Sequence, residues 1–89
     1  MTEFERNARY SYEEKLEYLK AKGYDSLHLQ TMPYNGYDVI MVSRLQHGVE
    51  YFFYKDNHLV KMRYWNWKDD IKLYAKRYID QELNARKEE

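Results

Sequence analysis

The sequence predicts an α+β domain: a four-stranded antiparallel meander with an N-terminal and a long C-terminal helix packed on one face, in the order α-β-β-β-β-α. Three observations carry this. Apolar residues recur at helical spacing near both ends of the chain. Between them lie four runs rich in β-branched and aromatic residues, punctuated by turn signals. Taken as two-residue hairpin loops, the turn dipeptides sort the side chains of all four runs onto two chemically different faces.

Thr2 and Glu5 fit a capping box, so residues 1–10 read as a short helix or an arm. Ser11 and Glu14 form a second capping box, with Tyr12, Leu16 and Leu19 at helical spacing behind it. Gly23 supplies the left-handed residue of a helix ending, and Tyr24 reaches back to Leu19, so the helix runs over about 12–22. The strands follow as Leu27–Met32, Tyr37–Leu45, Val49–Lys55 and His58–Trp65. Their turns are Asn35-Gly36, His47-Gly48 and Asp56-Asn57; the first is the strongest hairpin signal, because a type I′ turn needs positive φ at both central residues. Asn66 reads as the cap of the last helix, with Asp69 and Asp70 in its first turn. Trp67, Ile71, Tyr74, Ala75, Tyr78, Ile79 and Leu83 form its apolar stripe, and the helix runs over about 67–86, with Arg86 and Lys87 at its negative pole.

The chain of 89 residues reads as one domain, 1–89. Fifteen Lys plus Arg balance fifteen Asp plus Glu, which excludes the polybasic class that coats duplex nucleic acid by bulk charge, and equally a simple acidic mimic. A hydrophobic share of 44% suffices for a core. With no Cys, disulfides, thiolate metal sites and Cys nucleophiles are excluded. No apolar run approaches the ~20 residues that span a bilayer, and the N-terminus has no signal-peptide pattern. The expectation is a soluble cytoplasmic protein with no membrane contact.

If Tyr34 faces Tyr37, Gln46 faces Val49 and Lys55 faces His58, one face collects Leu27, Leu29, Thr31, Ile40, Val42, Arg44, Val49, Tyr51, Phe53, Val60, Met62 and Tyr64. The other collects His28, Gln30, Met32, Val39, Met41, Ser43, Glu50, Phe52, Tyr54, Leu59, Lys61, Arg63 and Trp65. With both helices on the first face, the second is expected to stand open. Aromatics beside cations on an open sheet are the mixture that protein interfaces favour, and also a recipe for stacking single-stranded bases. Phe52, Tyr54, Trp65, Lys61, Arg63, Met41 and His28 are therefore the candidate partner-binding residues. Lys68, Lys72 and Lys76, with Arg77 beside them, are candidate phosphate or partner contacts, although such a stripe is also the ordinary solvated face of an amphipathic helix.

Catalysis finds little support. His28, His47 and His58 show no metal-ligand spacing, and the pairs Glu13/Glu14, Asp69/Asp70 and Glu88/Glu89 sit at helix starts or the terminus. No Gly-rich phosphate loop exists with three glycines, and no cofactor or metal is expected. Tyrosine is over-represented, at 11 residues. Tyr37, Tyr51, Tyr64, Tyr74 and Tyr78 suit the core or its rim, whereas Tyr10, Tyr12, Tyr18, Tyr24, Tyr34 and Tyr54 are too many to bury together in so small a domain.

The reading is a small non-catalytic protein-binding domain, of the kind that phage and other mobile elements encode as inhibitors or regulators of a host protein. It would act through the open aromatic and basic sheet face, on a host partner or on a second copy. A single-stranded nucleic-acid-binding module using the same face is the first alternative, and a homodimeric structural domain the second.

Overall fold

The computed structural model describes residues 2–44, 48–66 and 70–84. Its elements are α1 (Glu3–Ala8), α2 (Tyr12–Ala21), β1 (Leu29–Tyr34), β2 (Tyr37–Arg44), β3 (Gly48–Lys55), β4 (His58–Asn66) and α3 (Ile71–Tyr78), which continues as a π-helical turn over Ile79–Leu83. The sheet is an antiparallel meander in the order β1-β2-β3-β4. The α+β class and the meander predicted from the sequence are both present.

Local chemistry sets the element ends. At α1 the Thr2 hydroxyl accepts from the Glu5 N–H while the Glu5 carboxylate accepts from the Thr2 N–H. Ser11 and Glu14 repeat the arrangement at α2. The Asn57 side chain adds a further bond there, accepting from the Tyr12 N–H at 3.1 Å, which ties the last hairpin turn to the start of α2. α2 ends in a Schellman motif: Gly23 stands at φ +101°, Tyr24 N–H donates to the Leu19 carbonyl and Gly23 N–H to that of Lys20. Asn35-Gly36 and Asp56-Asn57 have positive φ at both positions, as type I′ turns require. Residues 45–47 of the middle turn lie outside the described residues, as do the stripe position Trp67, the first-turn Asp69 and the terminal Arg86 and Lys87. Asn66 does not cap the last helix; it ends β4 opposite Gly48, and Asp70 is the cap, accepting from the Leu73 N–H at 3.0 Å.

The expected register fails in one strand. Arg44 pairs with Gly48, so β3 is shifted by an odd number of residues from the expected pairing, and every β3 side chain changes face. Lys55 does pair with His58, but Val60 is an extra residue at a bulge: Tyr54 pairs with Leu59 while Phe53 pairs with Lys61. The bulge restores the expected relation between β2 and the rest of β4. Only β3, with Leu59 and Val60, is turned over.

This decides the layering. One core cluster joins Met32, Val39, Met41, Val49, Tyr51 and Phe53 to Ile71, Ala75 and Ile79 of the C-terminal helix. The other joins Ile40, Val42, Phe52, Tyr54 and Leu59 to Leu19, with Tyr12, Leu16 and Tyr24 of α2 and its ending packed against it. The two helices thus lie on opposite faces of the sheet, not on one. The reason is that β2 and β3 are apolar on both faces, as near-continuous hydrophobic runs imply, and each face needs its own cover. α1 contacts β4. No helix among the described residues is long and apolar enough to cross a membrane.

Candidate functional site

Each face of the sheet carries a helix. Phe52 is 2% exposed, and Met41 and Tyr54 are fully buried, so the aromatic platform expected on the second face is core. Of the six tyrosines too many to bury together, Tyr54 is buried while Tyr10 and Tyr18 stay exposed, and Tyr64 stands half exposed at the rim. His28 is not inside a strand. It lies in the turn before β1, its Nδ1 3.1 Å from Asp25 Oδ1, and Asp25 also accepts from the Leu27 N–H. That local bonding draws Leu27 and His28 out of β1 and holds the exposed Asp25 carboxyl below its usual range, chiefly through the His28 side chain. Lys72 and Lys76 are exposed on α3, with Lys76 Nζ 5.7 Å from the Tyr34 ring centre, and Lys68 lies outside the described residues.

Lys61, Arg63 and Trp65 stay accessible, because β4 is an edge strand and α3 covers the sheet only partly at that side. Lys61 and Arg63 come together with residues of the C-terminal helix around a cleft of about 680 Å³. Val60, Lys61 and Arg63 form one wall; Tyr74, Arg77, Tyr78, Gln81, Glu82 and Leu83 form the other. The bulge sets Val60 beside Lys61 opposite Phe53, which adds an apolar surface to the β4 wall. The π-turn, closed by the bond from Asn84 N–H to the Ile79 carbonyl at 2.7 Å, adds a residue to the helix where it passes the cleft.

A run of rings backs the cleft. Trp65 stacks on Tyr74 at 5.5 Å between centroids, and Tyr74 stacks on Tyr78 at 6.5 Å. Beneath them Tyr51 packs against Tyr74 and Phe53 against Tyr78. The Arg63 guanidinium lies 5.4 Å from the Trp65 ring and 5.3 Å from the Tyr78 ring, a cation–π arrangement that fixes its direction. Its Nε is buried and has no hydrogen-bond partner among the described residues.

The charge balance of the cleft differs from that of the chain. Among the described residues, Lys61, Arg63 and Arg77 face one lining carboxylate, Glu82. Two neighbouring acids are engaged elsewhere: Asp70 caps α3, and Asp80 accepts from the Tyr34 hydroxyl at 2.8 Å and the Asn35 amide at 3.4 Å. That bond to Asp80 raises the Tyr34 phenol above its ordinary value. Among the described residues no three His, Asp or Glu side chains gather as a metal site. What the cleft offers chemically is cationic hydrogen-bond donors on a rigid aromatic wall.

The sequence by itself marks Lys61 and Arg63 on the β4 side of this site and not its helix half. Tyr74 and Tyr78 were legible only as an apolar stripe, and Arg77 only as part of a basic one. Joining them to Lys61 and Arg63 requires knowing which face α3 covers. The signal available for that was the pair of unbroken apolar runs, Val39–Val42 and Tyr51–Tyr54, which mark strands buried on both sides. Comparison of the chain with protein-family models, curated proteins and solved structures gives no match.

Proposed function

We propose that this chain is a small non-catalytic protein-binding domain whose contact surface is the cleft between β4 and α3. The observation that carries the reading is the convergence of Lys61, Arg63 and Arg77 on a prebuilt wall of Tyr74 and Tyr78, with Trp65 stacked on Tyr74, in a chain of zero net charge. Arg and large aromatics are the residues that anchor protein interfaces, and rings already packed on one another lose little freedom on binding. A domain of this kind acts by occupying its partner's surface, as an inhibitor or regulator does. Single-stranded nucleic acid is the less favoured ligand, because base stacking needs free ring faces, whereas Trp65 is stacked on Tyr74 and Tyr78 on Tyr74 and Phe53.

The test is capture of the tagged protein from nuclease-treated lysate of its native host, beside the Lys61→Glu/Arg77→Glu variant. One stoichiometric protein, retained by the parent chain and lost by an equally stable variant, is the expected result. An unchanged set of captured proteins would overturn the reading, as would retention of nucleic acid alone when nuclease is omitted.

A further inference from the structure

Resting on that reading, we infer that the cleft receives an acidic peptide segment of the partner, with carboxylates at Lys61, Arg63 and Arg77 and an apolar side chain between Val60 and Leu83. Charge complementarity carries the choice. Among the described residues three cations and one carboxylate line the cleft, and Asp70 and Asp80 are already bonded to α3 and to the first hairpin. The guanidinium of Arg63 is held in direction by two rings, which suits a planar, two-oxygen acceptor better than a mobile point charge would. The cleft, at about 680 Å³, has the volume of a few side chains, within the usual range of ~300–1,000 Å³ for ligand pockets. Val60 and Leu83 place apolar surface beside the cations, so a purely ionic ligand would leave part of the lining unused.

A second copy of the chain is a poor occupant. Antiparallel pairing of two β4 edges centred on Met62 sets Lys61 of one copy opposite Arg63 of the other, and like charges opposed in a sheet are destabilising. An extended run of phosphates is also poorly matched, since Glu82 interrupts the cationic lining.

The experiment titrates the ¹⁵N-labelled full chain with a five-residue peptide of four glutamates around a central leucine. The lysine equivalent, a version with serine at the centre, and a dT oligonucleotide serve as the other arms. The expected result is movement of the Arg63 Nε–H and Trp65 indole signals by the acidic peptide, with affinity at least about tenfold above that of the lysine peptide. Serine at the centre weakens binding, and salt weakens it further, as screening of exposed charges requires. Arg77→Glu lowers affinity at least about tenfold, while Lys72→Glu, the same charge change on α3 outside the cleft lining, leaves it within about twofold. Equal response to the acidic and lysine peptides, no response at these signals, or equal loss with Lys72→Glu overturns the inference. If the peptide fails while Lys61→Glu/Arg77→Glu still abolishes capture of a protein partner, the acidic segment is wrong and the protein-binding reading stands. Tighter binding of the oligonucleotide at the same signals would overturn both.

Discussion

The Lys15 ammonium lies 4.8 Å from the centre of the Phe52 ring, so a buried cation on α2 rests on a buried aromatic of β3. The same ammonium donates to the Asn7 side chain of α1 and stands 5.2 Å from the Tyr18 ring and 5.9 Å from that of Tyr10. Tyr10 and Tyr18 in turn stack on each other at 5.7 Å. One side chain therefore joins α1, α2 and the sheet. α1 buries no residue of its own, so this junction and its contact with β4 hold it to the rest of the chain.

Lys15→Met keeps the aliphatic stem and removes the charge. It is expected to lower unfolding free energy by roughly 1–3 kcal/mol, the scale of a desolvated cation–π contact plus a charged hydrogen bond. Urea denaturation gives the total, and amide exchange shows whether α1 opens ahead of the sheet. A loss under about 0.5 kcal/mol, the scatter of ordinary surface changes, would show the junction to be incidental.

Phe52 and Met41 behave as core residues. Phe52→Ala is expected to cost about 3–5 kcal/mol and Met41→Ala about 2–5 kcal/mol, through lost burial plus the cavity left behind. Thermal unfolding checks this directly. Either variant melting like the parent chain would restore the open-face arrangement and reject the three-layer one.

Tyr51 and Tyr54 are fully buried and their hydroxyls have no hydrogen-bond partner among the described residues. Tyr→Phe at either site should therefore be neutral or stabilising by up to about 1 kcal/mol, since it removes an unmet desolvation cost and leaves the ring packing intact. Burial, helped by Tyr74 and Asp70, pushes the Tyr51 phenol up to about 12, and burial raises Tyr54 further still. The folded chain holds these protons more tightly than the unfolded one. Their contribution is whole below pH ~10 and is lost as pH rises from there through the folded values. Tyr34, through its bond to Asp80, drifts the same way. Urea midpoints of the parent chain should hold from pH 8 to about 10 and fall above it, and fall less in Tyr51→Phe/Tyr54→Phe. Identical slopes would contradict the buried placement.

Lys61→Glu/Arg77→Glu changes exposed side chains only, so its unfolding free energy should stay within about 0.5 kcal/mol of the parent. Partner capture should nonetheless be lost, and capture by the parent chain should weaken as salt rises. A variant that both folds and binds normally would place the contact surface elsewhere.

The two capping boxes, the Schellman ending at Gly23 and the two type I′ turns could be read directly from the chain, because each depends on residues a few positions apart. The apolar stripe of the last helix was legible for the same reason, and so were Lys61, Arg63 and Trp65 as unusual neighbours. The face that β3 presents was not. Val49, Tyr51 and Phe53 are as apolar as Phe52 and Tyr54, so either register satisfies the period-two pattern and the alternation test has nothing to distinguish. Long-range packing makes that choice: Phe53 goes under Tyr78, and Phe52 goes under Lys15. From it follow the helix on each face, the burial of the expected platform, and a cleft whose halves come from residues 60–63 and 74–83. Such a site is a contact between segments, and only their packing brings it into being.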